Sequence, residues 1–155
     1  MILDTPAFIK TIETALTVAE ENDCLITLGI HPSRPDTGYG YIQYNEKKLS
    51  ENLFKVKTFT EKPTLEIAES FLLSGDFLWN AGIFVWSVRS IVNAFNTYLP
   101  DISDIFCKGK NLYNTPAEKE FIQASFQRCT NISIDYGIME KADNVYVMPS
   151  EFGWS

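Results

Sequence analysis

Near its start the chain repeats apolar residues at helical spacing. Phe8, Ile9, Ile12, Ala15, Leu16 and Ala19 line one face of a predicted helix that Thr5 caps and Pro6 opens. The polar run Glu20-Glu21-Asn22-Asp23 closes it. Cys24 to Ile30 is short and almost continuously apolar, the pattern of a strand covered on both faces, as in parallel sheets. A helix followed at once by such a strand predicts an α/β fold.

The pattern continues with a proline-containing loop, His31 to Gly38, feeding a strand over 39–44. Phe54 to Thr60 alternates apolar and polar residues, as a strand with one covered face does. Lys47 and Lys48 lie between these strands and are expected at the hairpin tip. Pro63 ends the second strand because it has no N–H for the ladder. Helices are expected over 64–74, stopped by Gly75, and over 88–99, with Val88 and Val92 in its inward stripe. Further helices are expected over 101–110, over 116–128 with Phe126 inward, and from Ser133 as cap through Lys141. Residues 82–86 and 145–148 read as strands.

Length and composition narrow the classes. The 155 residues fit a single domain, 1–155, with a substantial core, and 14% aromatic residues exclude global disorder. The net charge of −7 argues against nucleic acid as a partner. No apolar run approaches the ~18 residues of a membrane span, and the first residues lack the pattern of a signal peptide. Cys24, Cys107 and Cys129 are widely spaced, odd in number and without a CxxC pair. They are expected to be small buried hydrophobes in a reducing, cytoplasmic protein. With His31 the one histidine, neither a Cys/His zinc site nor a His-centred triad is expected. Both GxxxxGK[ST] and GxGxxG are absent.

The candidate chemistry lies at junctions flanking strands. Gly38-Tyr39-Gly40 allows close approach of a ligand to backbone amides. Glu61-Lys62-Pro63 ends a strand with a carboxylate that can accept from sugar hydroxyls and an ammonium that can meet a phosphate. Asn80, followed by Gly82, offers both donor and acceptor. Asp135 lies in the first turn of its predicted helix. Each has an ordinary structural explanation as well: a turn, a solvated ion pair, an Asx turn, a carboxylate at a helix start. Their shared placement at strand ends is what points to a ligand crevice.

These residues belong to blocks that resemble mannose-1-phosphate guanylyltransferases. The blocks are Thr27 through Ile42 (TLGIHPSRPDTGYGYI), Phe59-Thr60-Glu61-Lys62-Pro63, Leu78-Trp79-Asn80-Ala81-Gly82-Ile83-Phe84, Ser133 to Tyr136 with Met139 to Lys141, and Phe152-Gly153-Trp154-Ser155. They occur in the family's order over nearly the whole chain. The resemblance implies a Rossmann-like, GT-A nucleotidyltransferase domain with a mixed, mainly parallel sheet, incomplete at its N-terminal part. It implies synthesis of GDP-mannose and pyrophosphate from mannose 1-phosphate and GTP. Gly38, Tyr39, Gly40, Glu61, Lys62, Asn80, Gly82 and Asp135 would then be substrate-binding residues. The family's Mg²⁺ ligands and its glycine-rich triphosphate loop have no counterpart here, so the metal would be held outside this chain. The expectation is a fragment inactive alone, whose exposed sheet edge would favour a homo-oligomer. A transferase for another sugar or base, and a noncatalytic sugar-phosphate-binding or oligomerisation module, remain alternatives.

Overall fold

A computed structural model describes residues 2–153. Trp154 and Ser155 of the last resemblance block lie outside the described residues. The chain divides into two compact units, residues 2–90 with 143–153, and residues 91–142.

The first unit opens with α1 (Thr5–Glu21). Its cap is Asp4 rather than Thr5: the Asp4 carboxylate accepts from the Ala7 amide at 3.0 Å, which a carboxylate one residue earlier can reach. Ala15 and Ala19 are buried, with Cys24, Ile26, Leu28, Leu53 and Phe152, in the main core. The strands are β1 (Leu25–Ile30), β2 (Tyr41–Ser50), β3 (Leu53–Thr60), β4 (Phe77–Trp86) and β5 (Val145–Pro149). Lys47 and Lys48 sit inside β2 and not at the hairpin tip, which is Glu51-Asn52. Helix α2 (Leu65–Ser74) joins β3 to β4 and ends at Gly75 in the left-handed conformation. β4 begins five residues earlier than its apolar run predicts, because its first half pairs with β2.

The sheet is mixed, but it is mostly antiparallel rather than mainly parallel. Only β1 and β5 run parallel, while β1–β4, β2–β4, β2–β3 and β3–β5 are antiparallel. The five strands close in the order β1-β4-β2-β3-β5. Each strand therefore has two neighbours, and the exposed edge expected to drive self-association is absent among the described residues. The pairing of β1 with β4 is interrupted. Thr27 faces Phe84 and Gly29 faces Asn80, so three residues of β4, Ala81, Gly82 and Ile83, lie opposite Leu28 alone. Gly82 takes a positive φ of 69° in this bulge, a conformation that a side chain would strain.

The second unit is helical. α3 (Val88–Tyr98) enters it, followed by α4 (Pro100–Cys107), α5 (Glu118–Arg128) and a π-helical turn (Asp135–Met139) in place of the expected last helix. Two apolar expectations fail. Val88 is 79% exposed, because it stands in the first turn just after the Ser87 hydroxyl that accepts from Ser90 N. Phe126 is 66% exposed: it meets Phe106 edge-on at the rim of an open apolar cavity of about 760 Å³ rather than a closed core. The cysteines also divide. Cys24 is buried, Cys129 is half-buried and Cys107 is exposed.

Candidate functional site

Strand register assembles the site. Tyr41 pairs with Thr60 on β3 and with Trp79 on β4. Stepping off this row in the same direction gives Gly40, Glu61 and Asn80, so three adjacent strands release three candidate residues side by side. The Asn80 backbone N–H donates to the Gly40 carbonyl at 2.8 Å. A Cβ on Gly40 would overlap the Glu61 carboxylate and stand 3.4 Å from the Asn80 Cβ. The missing side chain is therefore what lets the carboxylate lie against the β2 backbone.

Glu61 is largely covered, its side chain 10% exposed, and its carboxylate is 3.4 Å from the Lys62 ammonium, which is 62% exposed. Lys62 adopts a positive φ of 46°, an uncommon conformation for a residue with a side chain. Pro63 follows it, buried. The strand thus ends in a sharp bend that leaves a shielded acceptor and a solvent-facing cation next to each other. Such strain is found at sites where the surrounding fold imposes it.

Asn80 is fixed by two donors. Its Oδ1 accepts from Gly82 N at 3.1 Å, the Asx-type contact, and from the Thr27 hydroxyl at 2.9 Å. Thr27 is fully buried in β1 and Asn80 is 8% exposed. Asn80 and Gly82 are thus held together in the bulge, both as a backbone brace and as a group at the site.

The glycine loop is tied from outside. Asp36 accepts from Gly38 N at 2.9 Å through one carboxylate oxygen and from Arg34 Nη2 at 2.7 Å through the other. The Tyr41 hydroxyl donates to the Asp36 carbonyl at 3.0 Å. The Arg34 guanidinium lies 5.2 Å from the centroid of the Trp79 ring, and the Tyr39 ring lies 5.0 Å from the same tryptophan. The Gly38 amide and then the Arg34 cation hold the Asp36 carboxyl below the usual carboxylate range, and Asp36 in turn raises Arg34.

The fold therefore brings together Gly38, Tyr39, Gly40, Glu61, Lys62, Asn80 and Gly82. Asp135 stands in the other unit, as the first residue of the π-helical turn. Sequence reasoning does not single out Asp36 or Thr27. The signal for Thr27 was a lone hydroxyl inside a continuous apolar strand, where a buried polar group needs a partner. Chemically, the cluster joins a carboxylate acceptor, amide donors, closely approachable backbone and a nearby ammonium. That set suits a hydroxyl-rich anionic ligand. Among the described residues, no three His, Cys, Asp or Glu side chains converge to hold a metal ion.

Comparison with known proteins identifies the family. A family model described as nucleotidyl transferase matches residues 2–120. A mannose-1-phosphate guanylyltransferase of Escherichia coli is 35% identical over 96% of this chain, and one of Salmonella montevideo is 37% identical over 100% of it. The chain spans about a third of the length of these curated relatives, 32% and 34%. Two solved structures share the fold across the whole chain. A mannose-1-phosphate geranyltransferase from Thermus thermophilus gives a TM-score of 0.86 at 29% identity, with 43% of that chain covered. A mannose-6-phosphate isomerase from Helicobacter pylori gives 0.80 at 25% identity, with 60% covered.

Proposed function

Since the chain belongs to the nucleotidyl transferase family, we propose that it forms the sugar-phosphate-binding part of a mannose-1-phosphate guanylyltransferase. In that reaction a phosphate oxygen of mannose 1-phosphate attacks the α-phosphorus of GTP. The bond to the β-phosphate breaks, giving GDP-mannose and pyrophosphate. The observation that carries the reading is the convergence of Gly40, just before β2, and Glu61, just after β3, beside Asn80 at the bulge within β4.

In this proposal Glu61 accepts from mannose hydroxyls and Asn80 donates to them. Gly38, Tyr39, Gly40 and Gly82 shape the backbone that the sugar approaches, and Lys62 faces the phosphate as a point charge. Asp135 is included through the family resemblance alone. Both solved neighbours are named for mannose phosphates, which supports that ligand class over other sugars. Nucleotidyl transferases typically use a divalent metal. Here we take it to be Mg²⁺. Chemistry of this kind relies on positioning and charge neutralisation at phosphorus, so a chain carrying the sugar side alone is expected to bind without turning over. The free cysteines and the metabolic substrates fit a cytoplasmic setting.

Isothermal titration of the chain with mannose 1-phosphate, with and without Mg²⁺, tests the reading. Metal-independent binding that Glu61→Ala abolishes is the expected result. Equal binding by wild type and Glu61→Ala overturns the site.

A further inference from the structure

The open cavity of about 760 Å³ lies wholly within the helical unit, residues 91–142. Phe95 on α3, Ile102 and Phe106 on α4, Tyr113 in the connection to α5 and Phe126 on α5 make its lining mainly apolar. No residue of the cluster around Gly40 takes part. Its wall is braced by a run of ring contacts. The Phe121 ring lies against the bare Cα of Gly109, where a Cβ would overlap it. Tyr113 meets that ring edge-on at 5.8 Å between centroids, and its hydroxyl donates to the Phe106 carbonyl at 3.0 Å. Phe106 in turn meets Phe126 edge-on at 5.3 Å. The bracing leaves apolar surface in water: Phe126 and Val92, which is 48% exposed, both border the opening. Apolar surface gathered in this way marks a binding site, and the volume is that of a small-molecule pocket.

Charge sets the head group. Among the lining residues none is acidic and one, Lys110, is cationic, although the whole chain carries −7. Lys110 follows the pinned Gly109, and its own N–H donates to the Cys107 carbonyl at 3.4 Å, so its backbone is fixed beside the cavity. Its side chain is exposed and forms no ion pair among the described residues. We propose that this cavity binds one small amphiphile, an apolar chain ending in a carboxylate, with the chain inside and the carboxylate beside Lys110. The inference goes beyond the sugar-phosphate reading and does not depend on it. Burial of the chain supplies the affinity. Lys110 adds a modest preference for an anionic head, because a cation in contact with water is well screened.

Calorimetry of the chain with decanoate, kept below its micelle concentration, is the test. Saturable one-to-one binding is expected. Octanoate, two CH₂ groups shorter, should bind about fifteenfold more weakly. Lys110→Gln should weaken decanoate about threefold and leave decanol, its neutral counterpart, unchanged. Cys107 and Cys129 both line the cavity, so decanoate should also slow alkylation of both thiols in the wild type, read by mass mapping. Absence of saturable binding, or binding that leaves both thiols equally reactive, overturns the inference. An equal response of decanoate and decanol to Lys110→Gln, none included, overturns the assignment of the head group. Thiol protection that rises with protein concentration alone would assign the face to a second copy of the chain. Co-sedimentation with phosphatidylglycerol vesicles without binding of free decanoate would assign it to a bilayer. Either result overturns the small-molecule occupant.

Discussion

The Glu61 carboxylate occupies the space that a side chain on Gly40 would need. One residue supplies chemistry, and the other supplies only an absence. Their coupling separates stability from binding. In Gly40→Ala the overlap falls on the far end of a flexible side chain, which can swing away at a cost of about 1 kcal/mol or less. The thermal midpoint should therefore move by only a few degrees. Binding of mannose 1-phosphate should be lost, because the acceptor no longer lies against the β2 backbone. A variant that keeps full affinity would separate Glu61 from the site.

Lys62 carries both a charge and a backbone cost. At a φ of 46°, replacement by glycine should relieve about 1 kcal/mol of strain, whereas Lys62→Ala should relieve little. Both remove the ammonium. Chemical denaturation should rank Lys62→Gly above the wild type in stability, while calorimetry should place both variants below it in affinity for mannose 1-phosphate. Equal stability of the glycine and alanine variants would count against the strain.

Protonation of Asp36 should loosen the glycine loop. Its carboxyl is held below the usual range by Gly38 N and Arg34, so the folded value lies under the unfolded one, ~3.9. The sign follows: the contribution is complete above about pH 4 and is lost as the pH falls through the depressed folded value. The Gly38 amide resonance should stay constant from neutral pH down to about 4 and shift below it. In Asp36→Asn that acid transition should vanish.

The three thiols should differ sharply in reactivity. Burial, and then the nearby Asp23 charge, push the Cys24 thiol up from 9.0 to about 11, whereas Cys107 is exposed. At pH 8 a disulfide reagent should modify Cys107 first and Cys24 only after unfolding. Because the Cys24 value is raised on folding, its contribution is complete below pH 9.0 and is lost as the pH rises toward about 11. Mass mapping of the labelled sites reads the order, and early labelling of Cys24 would contradict its burial.

The readable parts of the sequence were those governed by local rules. The helical stripe of α1, the glycine stop after α2 and the alternation of β3 are decided by neighbours in the chain. Strand direction is not. The apolar run of β1 predicts burial on both faces, and that is correct. Yet β1 runs between a parallel β5 and an antiparallel β4, a choice made by residues about 60 and 120 positions away. Inward apolar residues misled where the packing partner is a cavity, as for Phe126, or where a helix has just begun, as for Val88. Asn80 could be named as a candidate from its turn-like neighbours. Thr27 is legible as a buried hydroxyl in need of a partner, but not as the partner of Asn80, because their hydrogen bond spans 53 residues.

The bulge in β4 places two more residues between Asn80 and Phe84 than β1 places between Gly29 and Thr27. Two is an even number, and a strand alternates its faces with a period of two. The surplus can therefore bring Ala81, Gly82 and Ile83 out of regular pairing while the pairing of Phe84, Val85 and Trp86 resumes on the original faces. A surplus of one would have turned the rest of the strand inside out. The same parity predicts which length changes β4 can tolerate: removing one residue from 81–83 should shift the faces of Phe84 to Trp86, whereas removing two should keep those faces and erase the site.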